Sequence, residues 1–322
     1  MVTLKTLFVI TVSTSRFFSP GTPVDVSLSQ DVKPPAVRSL NVEIASNTAA
    51  PSGAKATVTV PEGLKRYPEL NLDISQSVSK PGTADSSNAV LEEYWGSGRE
   101  ISADQPKIIK PSDAAQAAFS QIIPDKSYAF WPPTNSKPLD DDIDITGAYT
   151  FKTNYCGSAQ VTLSKDQAML DPIDITSATH ESDLTKPIVI KWRPVANAVG
   201  YILKAYGGDL SKTITWTSSS KPDIAAKIEY HPVSKNDLES YIDNGVIIPP
   251  YIVSCTIPAG VFKGYEGVML VMTAIGKDVL ISDDEAETWV VVRSTASVPL
   301  HSAAFRGLKP SEPKNADWAD SE

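Results

Sequence analysis

Histidine and cysteine are nearly missing from this chain, with three of the first and two of the second in 322 residues. His180, His231 and His301 stand far apart, so no pair has the close spacing of a zinc site. Cys156 and Cys255 form no C-x-x-C pair, which excludes a zinc ribbon or a thioredoxin-type motif. No apolar run reaches the roughly 18 residues that a membrane-crossing helix needs, and the mean hydropathy is −0.13. There is no phosphate-cradling P-loop, no G-x-G-x-x-G and no G-x-S-x-G elbow. Gly96-Ser97-Gly98 is a turn beside aromatics, without the strand and helix that a nucleophile elbow requires. Excess positive charge is missing too: 29 Lys and Arg face 38 Asp and Glu, a net charge of −9. Such a surface repels phosphate backbones, so no nucleic-acid partner is expected.

What is present points to β structure. The 25 prolines outnumber the 17 glycines. Proline breaks helices and is kept out of central strands, but suits edges and turns. Together with many Val, Thr and Ile residues, it predicts short strands joined by tight loops. The N-terminus carries Lys5, then Leu7 to Val12, then Ser13, Thr14 and Ser15, a pattern like a short signal peptide. The alternative is an opening strand rich in β-branched residues. Residues 19–36 are rich in Pro and Ser and read as an arm, so 1–36 is a possible leader and arm.

Patterned sequence runs from 37 to 170. Ala56 to Val60, Leu70 to Ile74, Ala148 to Tyr155 and Gln160 to Leu163 alternate as half-buried strands. A short helix is expected near Asp113 to Phe119, with Asp113 and Gln116 as a capping box. From 183 to 297 six strands are legible: Ile188–Trp192, Gly200–Tyr206, Thr213–Thr217, Val253–Ile257, Val268–Ala274 and Thr288–Arg293. A helix interrupts them, capped by Ser234 or Asn236 and ended by Asn244-Gly245. Residues 307–322 read as a tail. The expected fold is all-β, with two β-sandwich-like domains and a short helical insertion in each.

Side-chain alternation places Cys255 with Tyr251, Val253 and Ile257 on a core face and Cys156 with Thr150, Lys152 and Asn154 on a wet face. The two thiols are therefore expected to be unpaired rather than bridged.

The second half resembles a fibronectin type III or related immunoglobulin-like sandwich. The resemblance rests on Trp192, then Gly200-Tyr201-Ile202-Leu203, then Thr256-Ile257-Pro258-Ala259-Gly260 before Val271-Met272-Thr273-Ala274. It implies that Trp192 and Tyr201 meet in the core. The stretch 218–250 is longer than the connection usual in that family.

Two groups of candidate site residues stand out. Tyr94, Trp95, Tyr128 and Trp131 offer ring faces on which a sugar stacks, or alternatively pack in a core. Asp140, Asp141, Asp142 and Asp144 form the densest acidic run, with the oxygen chemistry calcium prefers but without the grammar of an EF-hand loop; a solvated loop is the alternative. No catalytic residue is assigned. Glu92, Glu93 and Asp104 could supply one of the two acids that a carboxylate-based glycosidase needs.

The expectation is a non-enzymatic binding module with a protein or glycan partner, placed outside the cell or in its envelope, with the cytoplasm as the alternative. A carbohydrate-active enzyme and a structural subunit of a surface or virion assembly are the other two readings.

Overall fold

The computed structural model describes residues 6–18, 33–64, 66–67, 69–75, 90–110, 126–132, 138–140, 142–178, 184–209, 211–265 and 267–302. The expected helix near Asp113, the arm over 19–32, His180, Asp141 and the tail over 307–322 lie outside these residues. The described part is mostly strand, with two α-helices.

Alternation explains the first strand. In β1 (Thr6–Phe17), Phe8, Ile10 and Val12 point to one side and are buried, while Thr11, Ser13 and Ser15 point to the other. β1 pairs antiparallel with β2 (Val37–Ser46) and parallel with β18 (Ala286–Ser302). Thr6 lies opposite Ala286 and Phe17 opposite Ser297. Residues read as either a leader or an opening strand thus form a strand in the interior of a sheet.

That sheet is large. Beyond β2 come β8 (Ser127–Trp131) and β5 (Asp73–Ser75). Beyond β18 come β16 (Gly267–Ile275), β13 (Gly200–Gly208), β14 (Lys212–Thr217), β6 (Val90–Trp95) and β7 (Lys107–Ile109). β17 (Val279–Ser282) forms a hairpin with the first part of β18. β18 extends well past the predicted Arg293, because β16 and β1 flank it. Pro299 is tolerated in this strand because the ladder to β16 shifts register there, between Val268 and Met269.

Two smaller sheets cover one face. β10 (Ser158–Leu163), β9 (Gly147–Thr153), β3 (Ala56–Thr59) and β4 (Glu69–Asn71) form one, in that order. β11 (Ile175–Ala178), β12 (Ile188–Trp192) and β15 (Ser254–Ile257) form the other. Phe8 of β1 meets Phe151 of β9 with ring centroids 5.2 Å apart. Trp192 of β12 meets Tyr201 of β13 edge-on at 5.3 Å. The chain changes layers at Leu72, leaving β4 in a small sheet and entering β5 in the large one. The large sheet runs without a break across the expected 37–170 and 183–297 units, and one buried apolar cluster lies behind it.

Trp192, Tyr201 and Cys255 are 3%, 0% and 3% exposed. Tyr251, expected to share the inward face of Cys255, is exposed because the strand begins only at Ser254. Cys156 departs from its expected wet face. β9 ends at Thr153, so Cys156 sits in the following turn, packs against the core and accepts a hydrogen bond from Thr153 Oγ1. Both thiols are unpaired.

The helical segment follows β14. α1 (Pro222–Ile228) starts on a proline whose missing N–H has no intrahelical partner to lose. α2 (Lys235–Asp243) is capped by Ser234 Oγ, which accepts from the Asp237 N–H at 3.1 Å. Gly245 follows with φ 68°, the left-handed conformation that ends helices. Val246 and Ile247 then pack on Ile202 and Ile275 of the large sheet. Gly200 makes that approach possible: a Cβ there would lie 2.2 Å from Ile247 Cγ2.

Candidate functional site

The second face of the large sheet carries α1 and α2 at one end. Part of the remaining face forms a groove of about 790 Å³. Its floor comes from the odd-numbered residues of β1 and the side chains beside them in register. Val9 lies between Glu43 and Trp289, Thr11 between Asn41 and Val291, and Ser13 between Ser39 and Arg293. Val271 and Thr273 of β16 and Tyr206 of β13 extend the lining on one side, and Tyr128 of β8 on the other. Glu229, Tyr230 and His231, which leave α1, form a rim.

Aromatic and polar groups are interleaved here. His231 packs on Trp289 with ring centroids 4.9 Å apart. Burial chiefly lowers the pKa of His231; Lys227 adds to this and Glu287 opposes it. Trp289 Nε1 donates to Glu287 at 2.8 Å. Tyr128 stacks on Phe130 at 5.7 Å and is hydrogen-bonded to Glu43. Its phenol is pushed well above the usual range, mainly by burial and then by the Glu43 charge. Arg293 is the one Lys or Arg among the described lining residues, and Asp278 holds it at 2.7 Å. Lys204, beside the rim, is held by Glu229 at 2.9 Å.

The four predicted aromatics do not form one platform. Six strands separate β6, with Tyr94 and Trp95, from β8, with Tyr128 and Trp131. Tyr94 is buried in register with Trp216, while Trp95 points to the opposite face. Tyr128 faces the groove, whereas Trp131 lies in register with Val42 and meets Tyr67 edge-on at 5.4 Å. Of the four, Tyr128 alone lines the groove among the described residues.

The acidic run is dispersed into separate tasks. Asp140 faces Arg66 at 3.3 Å in an exposed pair. Asp144 accepts from the Thr146 hydroxyl and N–H, which hold its carboxyl below the usual range. Asp142 is exposed. Among the described residues, no three His, Cys, Asp or Glu side chains converge to hold a metal.

The acids considered for a glycosidase also part. Glu92 lies on the core side of β6, bonded by Lys212 Nζ at 2.6 Å and by the Tyr94 hydroxyl. Glu93 faces the other way, and burial raises its pKa against the pull of Lys107. Glu92 and Glu93, on opposite faces of one strand, cannot pair with each other across one glycosidic bond, and Asp104 is exposed.

Sequence reasoning did not single out Thr11, Asn41, Glu43, Tyr206 or Trp289. The signal was present in β1 only over Ile10 to Ser13, where polar Thr11 and Ser13 alternate with apolar Ile10 and Val12. No helix among the described residues is long and apolar enough to cross a membrane. Comparison of the chain with protein-family models, curated proteins and solved structures finds no match to any of them.

Proposed function

We propose that this protein is a non-enzymatic binding module whose ligand seats in the groove on the second face of the large sheet. The observation that carries this reading is the groove itself. It is a concavity of about 790 Å³, of the size that small ligands occupy, with rings and polar groups converging on it. Rigid strands hold those side chains, which is what a recognition surface needs.

The proposed architecture is two sandwiches sharing one sheet. The sequence resemblance to fibronectin type III domains is supported by strand count over 175–302, where β11, β12 and β15 stand against β14, β13, β16 and β18. The stretch holds eight strands; β17 pairs with β18 to one side, and the other seven, three against four, are an immunoglobulin-type number. Placement outside the cell or in its envelope rests on the proline-punctuated, loop-rich style of the chain rather than on residues 6–15, which belong to β1.

Thr11→Trp tests the binding reading by filling the middle of the groove. The full-length protein and this variant are applied to an array of oligosaccharides and extended peptides, with folding checked by thermal melting. Loss of a bound probe in a variant that melts normally is the expected result. Release of reducing ends from a polysaccharide, or binding indifferent to Thr11→Trp, overturns the reading.

One observation favours a second reading, a subunit of an assembly. β17 is an edge strand, and its Leu280 and Ile281 are 45% and 47% exposed. An apolar edge is a template for another chain. Light scattering separates the two, since an assembly subunit gives a large particle.

A further inference from the structure

We infer that the ligand of the groove is a neutral glycan, a chain of sugar rings lying across β2, β1, β18 and β16. The inference rests on the binding reading above and narrows it to one chemistry.

The first argument is main-chain accounting. An extended peptide is held chiefly through its backbone, by adding a strand to a sheet edge. The groove floor is a sheet face. The backbone groups of β1, β18 and β16 are engaged with neighbouring strands on both sides. Only side chains remain to make polar contacts there. A glycan needs no more, because its hydroxyls are met by side-chain hydroxyls, amides and carboxylates.

The second argument is charge. Arg293 donates to Asp278 and to main-chain carbonyls through all of its nitrogens. Lys204 is held by Glu229. No ammonium or guanidinium group among the described lining residues is left to receive a phosphate, sulfate or uronate. Glu43 faces the groove as a carboxylate and disfavours an anionic ligand further.

The third argument is the mixture of surfaces. Sugar rings have apolar faces and polar edges, so they match alternating aromatic and hydroxyl groups. Trp289 and Tyr128 offer rings at the Leu7–Val9 end of the groove, and Tyr206 offers one at the Phe17 end. Thr11, Asn41 and Thr273 offer hydroxyl and amide groups on the floor between them. An acyl chain in the same place would strip water from Asn41, Glu43 and Thr11 without replacing their hydrogen bonds.

The test uses the full chain and an array carrying neutral oligosaccharides, uronic and sulfated oligosaccharides, and extended peptides. Tyr206→Ala and Trp289→Ala are compared with Tyr251→Ala, an exposed tyrosine that does not line the groove. Tyr206 is itself partly exposed, so its removal spares the core even if Trp289→Ala loosens the rim. The expected result is binding of neutral oligosaccharides, weakened about tenfold by either groove change, as a loss of roughly 1.4 kcal/mol per ring would give, and unchanged by Tyr251→Ala. Preference for uronic or sulfated sugars overturns the inference, as does sugar binding indifferent to Tyr206 and Trp289. Peptide binding that falls in the groove variants, with no neutral sugar bound, overturns the glycan while leaving the groove as a binding site. Absence of any probe sensitive to the groove variants overturns both.

Discussion

Arg293 and Asp278 form an ion pair sealed from water, with Nη1 2.7 Å from Oδ1 and side chains 4% and 0% exposed. The guanidinium also donates to the carbonyls of Ile228, His231 and Val292, so all five of its N–H groups are used. Asp278 accepts from the Val233 and Val292 N–H groups, each at 2.9 Å. Together the two side chains fasten the connection between α1 and α2 to β18. Arg293→Met leaves a buried carboxylate without its cation, and the expected loss is about 3–5 kcal/mol. Asp278→Asn is expected to approach that loss, and the double variant to lose less than the sum. Urea denaturation of the three variants checks this. A loss below about 1 kcal/mol in both single variants would show that the pair does not fasten this connection.

The tryptophan and tyrosine between the layers give a second expectation. The Tyr201 hydroxyl accepts from the Val195 N–H at 2.9 Å in a buried position. Tyr201→Phe strands that N–H, an expected loss of about 1–3 kcal/mol. Trp192→Ala opens a cavity in the same place, at about 3–5 kcal/mol. Denaturant midpoints order the two variants. Wild-type stability in Trp192→Ala would refute the packing of β12 on β13.

His231 gives the groove rim a pH dependence whose sign is fixed. Burial lowers its folded pKa below the ordinary value of 6.5, so the unfolded chain binds the proton first. The stabilising contribution is complete above the unfolded value and is lost as pH falls from there through the folded value. Over that window the wild-type protein is expected to lose more stability than His231→Gln. Urea melts of both proteins at pH 8 and at pH 5 measure the difference. Parallel losses would show that the ring is not desolvated by Trp289.

Thiol chemistry distinguishes the two cysteines from a bridge. Burial pushes Cys255 up to about 11 and raises Cys156 as well. A thiol reagent at pH 8 is expected to react slowly with the native protein, because little thiolate is present. In denaturant without reductant, two thiols per chain should react at once. Fewer than two would show that they pair.

Strands that alternate cleanly were legible from the sequence. Ile188–Trp192 and Gly200–Tyr206 each hold an apolar face against the opposite layer, and their bounds fall within a few residues of those read from pattern. Helix punctuation was legible at Ser234 and Asn244-Gly245, where local chemistry sets the ends. Three features were not. The parallel pairing of β1 with β18 joins distant segments, and no local pattern encodes a partner. The layer change at Leu72 falls inside one alternating run, which reads as a single strand. Cys156 was placed by a period that had already ended at Thr153. The groove was hidden for a related reason: its lining comes from strands far apart in sequence, and register alone brings Glu43, Val9 and Trp289 side by side.

The parallel ladder between β1 and β18 also sets the order of events when the chain is made. β1 leaves the ribosome about 280 residues before its partner, a delay on the order of 15–60 s at the usual ~5–20 residues per second. During that interval Phe8, Ile10 and Val12 have neither their final neighbour strand nor a finished interior to enter. The nascent protein carries a greasy ribbon that stays a target for chaperones until β18 has emerged. Completion of the large sheet therefore waits on β18, and chains cut short before residue 286 release a strand whose parallel partner was never made.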